Sequence, residues 1–191
     1  EPGFAQCFHP RVNTCILTFG DFPVSDFTGG TPPACMLFWG HNPLNSGPDG
    51  ETRFNVREAL DHNPEIIVVD PRETELARRA AVWLQLRPGT DDALALALLN
   101  VIIDEKLYDA PFVTRWTYGF DALAEHVRAY TPEWAEPITW VPADKIRAAA
   151  RLFARAKPAM MEWGCAIEHT PNCIQTVRAI CDEVAVMYAG E

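Results

Sequence analysis

Four short stretches of this 191-residue sequence gather glycine, carboxylate, amide and arginine groups at the ends of apolar runs. They are GHNPLNSGPD (residues 40–49), DPRET (70–74), RPGTDD (87–92) and WGCAIEHTPN (163–172). Gly40 lets a backbone approach a bulky ligand, and Asn42 and Ser46 offer hydrogen bonds to phosphate oxygens or hydroxyls. Asp70 closes an apolar run, where a carboxylate can accept both hydroxyls of a ribose. Arg72 beside it is a fixed fork of N–H donors suited to phosphate. Asp91 opens an apolar helical run. A carboxylate there accepts two parallel hydrogen bonds from guanine, from the ring N–H and the exocyclic amino group, a pair that adenine lacks.

Plainer roles compete at each position. Asp91 is also a natural helix N-cap, and Asp70-Pro71 also reads as a turn. His41 and His169 suit a surface, and Trp163 suits a core. Neither GxGxxG nor GxxxxGK(S/T) occurs, so the two commonest phosphate fingerprints are absent. No catalytic triad, metal cluster or carboxylate pair stands out, and no residue is assigned as a metal ligand or catalytic group.

Groups so far apart meet only if the chain carries them to one edge. The runs between them alternate in the required way. ACMLFWG (34–40), EIIVVD (65–70), VWLQL (82–86) and PAMMEWG (158–164) read as buried strands. ETRFNVREALDH (51–62), with Phe54, Ala59 and Leu60 among its apolar positions, and ETELARRAA (73–81) read as helices. DDALALALLNVIIDE (91–105) is a helix apolar on nearly every side, which predicts deep burial. Further helices are expected at APFVTRWT and GFDALAEHVRAY, with a helical turn at PEWAE. PADKIRAAARLFARAK places Pro142 at the first helical position, and PNCIQTVRAICDEVAVMYAG (171–190) is the last helix. Arg147, Arg151 and Arg155 form a stripe at helical spacing, read as a solvated face rather than an anion site. Continuous apolar strands alternating with helices predict a parallel sheet with helices on both faces, a Rossmann-like α/β fold. Ligands bind such sheets at the carboxyl ends of the strands, near a switch in strand order.

Residues 1–33 show no sustained period and read as an irregular segment from a preceding domain, with a short strand at 15–19 and a turn at 28–33. Residues 34–191 make the α/β domain. The formal net charge of −10 argues against nucleic acid as a partner, because phosphate neutralisation needs clustered Lys and Arg. No apolar run is long enough for a membrane span, and the first residues have no signal-peptide pattern. The six cysteines lack metal-site spacing. Cys35 and Cys165 sit in apolar runs and are expected to be buried thiols. A reducing compartment, the cytoplasm, is the simplest reading, with a disulfide as the alternative. A start without Met suggests a piece of a longer protein.

Taken together, WGHNPLNSGPD, the succession EIIVVDPRETELARRAAVWLQLRPGTDDALALALLNVIIDEKLYD, FVTRWTYGFDALAEHV and AKPAMMEWGCAIEHTPNCIQTVRAI resemble catalytic subunits of the dimethyl sulfoxide reductase family. These enzymes use molybdenum or tungsten in a bis(molybdopterin guanine dinucleotide), or bis-MGD, cofactor. The resemblance covers roughly residues 35–181, and VVDPR followed by LRPGTD and ALALALL is its most specific part. It implies that the chain holds one guanine dinucleotide arm. Gly40, His41, Asn42 and Ser46 would lie along the pyrophosphate loop, Asp70 and Arg72 at the ribose, and Gly89, Thr90 and Asp91 at guanosine. Trp163, Gly164 and Glu168 would approach the cofactor nearer the metal. The resemblance further implies electron or oxygen-atom transfer on a small-molecule substrate in the intact enzyme, and an inactive fragment. It also implies a 4Fe-4S cluster in a preceding part and an iron–sulfur electron-transfer subunit as partner. A family metal ligand is not placed here, and Cys7 is not assigned that role. Alternatives are a non-redox hydratase of the same family, a complex-I-like homologue without the cofactor, and a free-standing dinucleotide domain of a dehydrogenase.

Overall fold

A computed structural model describes residues 9–22, 31–46 and 51–187. Cys7, residues 28–30 of the expected turn, residues 47–50 of the first candidate loop and residues 188–190 of the last expected helix lie outside the described residues. In chain order the elements are α1 (His9–Phe19), β1 (Cys35–Trp39), α2 (Glu51–Leu60), β2 (Glu65–Val69), α3 (Glu75–Arg79), β3 (Val82–Leu84) and α4 (Asp91–Asp104). After these come α5 (Ala110–Trp116), α6 (Phe120–Val127), α7 (Pro132–Thr139), α8 (Ala143–Arg155), β4 (Ala159–Trp163) and α9 (Cys173–Met187). The four strands form one parallel sheet in the order β3-β2-β1-β4. The chain builds outward from β1 to β3 and then returns to the other side of β1, so the order switches between β1 and β4.

Side-chain alternation along each strand divides the core in two. Leu37, Trp39, Ile67, Val69 and Leu84 face one layer, with α4, α8 and α9 against them. Met36, Phe38, Ile66 and Val68 face the other, where Val56 and Ala59 of α2 and Leu76 and Ala77 of α3 cover them. β1 is buried along its whole length. Each of its large side chains contributes about 1.5–3 kcal/mol by leaving water. The α/β fold with helices on both faces is therefore as expected from the apolar runs.

The Ala- and Leu-rich α4 packs against α7, α8 and α9. It buries Leu94, Leu98 and Leu99 completely, whereas Leu96 is only partly buried and lines an open groove with α6 and α9. Two expected details change on α2 and α8. Phe54 points outward, 70% exposed, and Val56 takes its place in the core. Pro142 sits at the N-cap of α8 rather than inside it. Two members of the basic stripe on α8, Arg147 and Arg151, are held by carboxylates of the same chain. Arg147 Nη2 donates to Glu133 Oε1 at 2.6 Å, and Arg151 holds both oxygens of Glu105 at 2.8 Å.

The largest correction lies at the N-terminal end. The strand expected at residues 15–19 is the second half of α1. The β-branched and aromatic residues there carry strand propensity, but helical geometry lets Thr14 and Cys15 bury against α9. Cys165, expected to be buried, is exposed, because the strand run ends before it and β4 gives way to a turn; Cys35 is fully buried on β1.

Candidate functional site

All four polar stretches leave the same edge of the sheet, because every strand runs in the same direction. Two glycines hold the middle of this edge together. Gly40 N donates to Val69 O at 2.8 Å, and Gly164 N donates to Trp39 O at 2.9 Å. A Cβ on Gly164 would stand 2.2 Å from Gly40 O, so the loops after β1 and β4 cross where only glycine fits. Gly40 itself has φ +56° and faces Ala166 at 3.3 Å from a notional Cβ. Its small size admits the neighbouring loop of the chain.

Beyond Gly40, the carbonyl of Asn42 accepts the Ser46 N–H at 2.8 Å and the Ser46 hydroxyl at 3.0 Å. Asn42 Oδ1 lies 3.4 Å from the Asn45 amide nitrogen. His41 Nδ1 stands 3.6 Å from Glu162 Oε1 on β4. At the end of β2 the Asp70 carboxylate is buried, and its Oδ1 accepts the Arg72 backbone N–H at 2.8 Å and faces Arg72 Nε at 3.5 Å. The Trp83 indole donates to the Asp70 carbonyl at 2.9 Å. Thr74 caps α3 by accepting the Ala77 N–H. Between these loops lies a cleft of about 330 Å³ lined by Asn42, Asn45, Arg72, Glu73, Thr74, Glu75 and Arg78. Its amides, hydroxyl and two guanidiniums are donors of the kind a polyanion needs, set beside two carboxylates, of which Glu73 lies 3.9 Å from Arg78.

At the corner before α4, Gly89 adopts φ +82° and the Thr90 hydroxyl donates to Arg87 O at 2.7 Å. Thr90, not Asp91, is the N-cap of α4. Asp91 is the first helical residue, and capping therefore does not explain its carboxylate. Its Oδ1 accepts the indole N–H of the buried Trp39 at 2.8 Å. Burial pushes the Asp91 carboxyl above the usual carboxylate range, while the Trp39 hydrogen bond pulls it back. Trp39 thus sets the orientation of the carboxylate, which also takes backbone hydrogen bonds at Asp91 and Gly89. Arg87 stacks over the exposed Trp140 at 5.4 Å.

The β4 end is different in kind. Arg11 of α1 reaches across to it. Its Nε donates to Glu168 Oε1 at 2.6 Å, its Nη2 donates to the Trp163 carbonyl at 2.9 Å, and its guanidinium lies 5.0 Å from the centre of the Trp163 ring. Glu168 is 3% exposed, and its Oε2 has no hydrogen-bond partner; the Trp163 indole Nε1 has none either. An acceptor and a donor are thus buried and unanswered beside the Gly40–Gly164 crossing. Buried polar atoms are nearly always paired, so such a pair marks a place that another group completes. Among the described residues no group of three or more His, Cys, Asp or Glu side chains has metal-binding geometry, and no helix is long and apolar enough to cross a membrane.

Every candidate residue from Gly40 to Glu168 therefore stands on this one edge. Sequence reasoning missed Trp39 and Arg11. Trp39 was hidden in an apolar strand, though a tryptophan in the last strand position before a glycine is a usable signal. Arg11 lay in a segment read as irregular, and nothing local marks it.

The sequence model of the molybdopterin oxidoreductase family matches residues 32–188. The chain belongs to that family, and with it to the dimethyl sulfoxide reductase family of molybdopterin enzymes. It is 39% identical to the acetylene hydratase of Syntrophotalea acetylenica over 92% of its own length and 24% of that protein. It is 41% identical to formate dehydrogenase H of Escherichia coli over 76% of its length and 20% of that protein. Among solved structures it superposes on acetylene hydratase from Pelobacter acetylenicus with a TM-score of 0.88 and 34% identity, over 97% of this chain and 25% of that one. The chain thus spans about a quarter of the length of the relatives it matches. The family is one of oxidoreductases and implies a molybdopterin cofactor with molybdenum or tungsten.

Proposed function

We propose that this chain is the part of a molybdopterin enzyme that holds one guanine dinucleotide arm of a bis-MGD cofactor along the carboxyl edge of its sheet. The observation that carries the reading is the convergence of four polar loops on either side of the strand-order switch, with Glu168 Oε2 and Trp163 Nε1 buried and unanswered there. These atoms fit a pterin, whose heterocycle edge offers both donors and acceptors. The cleft between Asn42, Arg72 and Arg78 suits the diphosphate, Asp70 the ribose hydroxyls and Asp91 the guanine edge.

In the intact enzyme the cofactor supplies electron or oxygen-atom transfer at its metal. The residues here bind and orient it. Trp39 fixes the Asp91 carboxylate, Asp70 closes the turn that presents Arg72, and Arg11 holds Glu168 with one oxygen directed away from it. Non-redox hydration stays beside redox chemistry as a second reading, because one of the similar proteins is a hydratase by name. A 4Fe-4S cluster and an electron-transfer subunit would belong to other parts of that enzyme, and this chain alone would not turn over substrate.

The test is calorimetric titration of the chain with GDP and, in parallel, ADP. Selective GDP binding is expected, and Asp91→Asn should weaken it by about 1.5–3 kcal/mol, roughly ten- to a hundredfold, because an amide replaces one acceptor with a donor. Equal affinity for both nucleotides, or a variant that binds GDP as well as the parent, would sink the guanine assignment.

A further inference from the structure

The seam between α1 and α9 buries two sulfurs side by side. Cys15 and Cys181 are both fully buried, stand 166 residues apart in sequence, and place their Sγ atoms 3.8 Å apart. A disulfide needs about 2.05 Å between sulfurs. Bond formation requires the two side chains to rotate toward each other by the difference. The two thiols are unlike the rest of the chain's described cysteines. Cys35 is alone on β1, Cys165 is exposed and Cys173 lies at the start of α9.

We propose that Cys15 and Cys181 form a reversible disulfide that fastens α1 to the α/β domain. Its consequence reaches the site, because α1 carries Arg11, and Arg11 holds Glu168 and Trp163 at the end of β4. The crosslink therefore locks the arm that supports the β4 corner, and reduction frees that arm to move. This inference stands whether or not a guanine dinucleotide occupies the edge.

The oxidant is a peroxide, small enough to enter the seam when the helix opens. The Cys15 sulfur attacks one peroxide oxygen, the O–O bond breaks, and a sulfenic acid and one water form. The Cys181 sulfur then attacks the Cys15 sulfur and expels the hydroxyl as a second water. Two thiols lose two electrons and two protons, and hydrogen peroxide takes up both. Cys15 suits the first step, because Arg11 on the same helix is a cation that favours its thiolate.

The experiment exposes the 191-residue chain to hydrogen peroxide, blocks remaining thiols by alkylation, and maps the peptides by mass spectrometry. A peptide joining Cys15 to Cys181 is expected. It should vanish on treatment with dithiothreitol, and the oxidised chain should melt several degrees higher than the reduced one. Cys15→Ser should remove both effects. Cys15 and Cys181 recovered separately alkylated, while Cys165 or Cys173 is oxidised, would overturn the proposal. Peptide mapping of the unsubstituted chain decides this even where the serine variant folds poorly.

Discussion

The two ends of the sheet edge are finished to different degrees. At the β2–β3 end the buried polar side chains are answered from within the chain. Asp70 takes the Arg72 N–H, Thr74 takes the Ala77 N–H, and Thr90 gives its hydroxyl to Arg87 O. At the β4 end, and along the α1–α9 seam behind it, Glu168 Oε2, Trp163 Nε1, Thr14 Oγ1 and both Glu183 oxygens have no hydrogen-bond partner. The first end is a preformed pocket. The second is costly by itself, since each unanswered buried group forfeits about 1–3 kcal/mol. A protein that keeps such a corner keeps it for something outside the corner, and the difference separates what the chain holds rigidly from what it leaves to be completed.

The two ends are joined at the Gly40–Gly164 crossing, which Gly164→Ala would force apart. A methyl 2.2 Å from the Gly40 carbonyl oxygen cannot be relieved by a side-chain rotation, because both neighbours are backbone. The cost should exceed the roughly 1–3 kcal/mol of ordinary overpacking. Denaturant unfolding of the variant is the check, and a midpoint like that of the parent would show that the loops can part freely.

Glu183 makes the cost of the unanswered groups depend on pH. Burial alone pushes its carboxyl from the usual 4.5 up to about 8. Below pH 4.5 the group is protonated in both folded and unfolded chains and has no effect. Between 4.5 and 8 the unfolded chain ionises while the folded chain stays neutral, so stability falls as pH rises, by about 1.4 kcal/mol per unit. Above 8 the loss levels off. Glu183→Leu should therefore melt higher than the parent near pH 7, by on the order of 3 kcal/mol, and should match it more closely near pH 4.5. Melting curves recorded across that range test the sign, and parallel pH profiles would show that Glu183 finds a partner in solution.

The fold and the preformed pocket were legible for the same reason. β1 and β2 are runs of apolar residues that must be buried on both faces, and a chain of such strands separated by helices has few arrangements other than a parallel sheet. Once the sheet is parallel, Asp70, Arg72 and Asp91 fall on one edge without further information. The β4 corner was legible only in part. Trp163, Gly164 and Glu168 could be named, but Trp163 and Glu168 are held by Arg11, 157 residues from Glu168 and in a segment with no visible period. A contact of that separation leaves no local trace in the sequence. Residues 15–19 failed by the converse route, since strand-forming residues are helical where α1 packs along α9. Phe54 belongs with them: its apolar type suggested a core face, and the turn of α2 gave that place to Val56.

The smallest effect tests the preformed end. Arg72 is 75% exposed at its side chain, and its main tie to Asp70 is made by the backbone N–H, which alanine retains. The guanidinium adds only a 3.5 Å contact in solvent, of the kind that contributes at most about 1 kcal/mol to folding. Arg72→Ala should thus leave the unfolding midpoint close to that of the parent. It removes one of the two cations facing the cleft, so affinity for GDP should fall roughly tenfold, about 1.4 kcal/mol. The loss should shrink as salt is raised, because an exposed charge is screened within about 10 Å at 0.1 M. A stability loss with unchanged GDP affinity would reverse the assignment: Arg72 would then brace the β2 turn, and the phosphates would have to be held by Arg78 and the amides of Asn42 and Asn45.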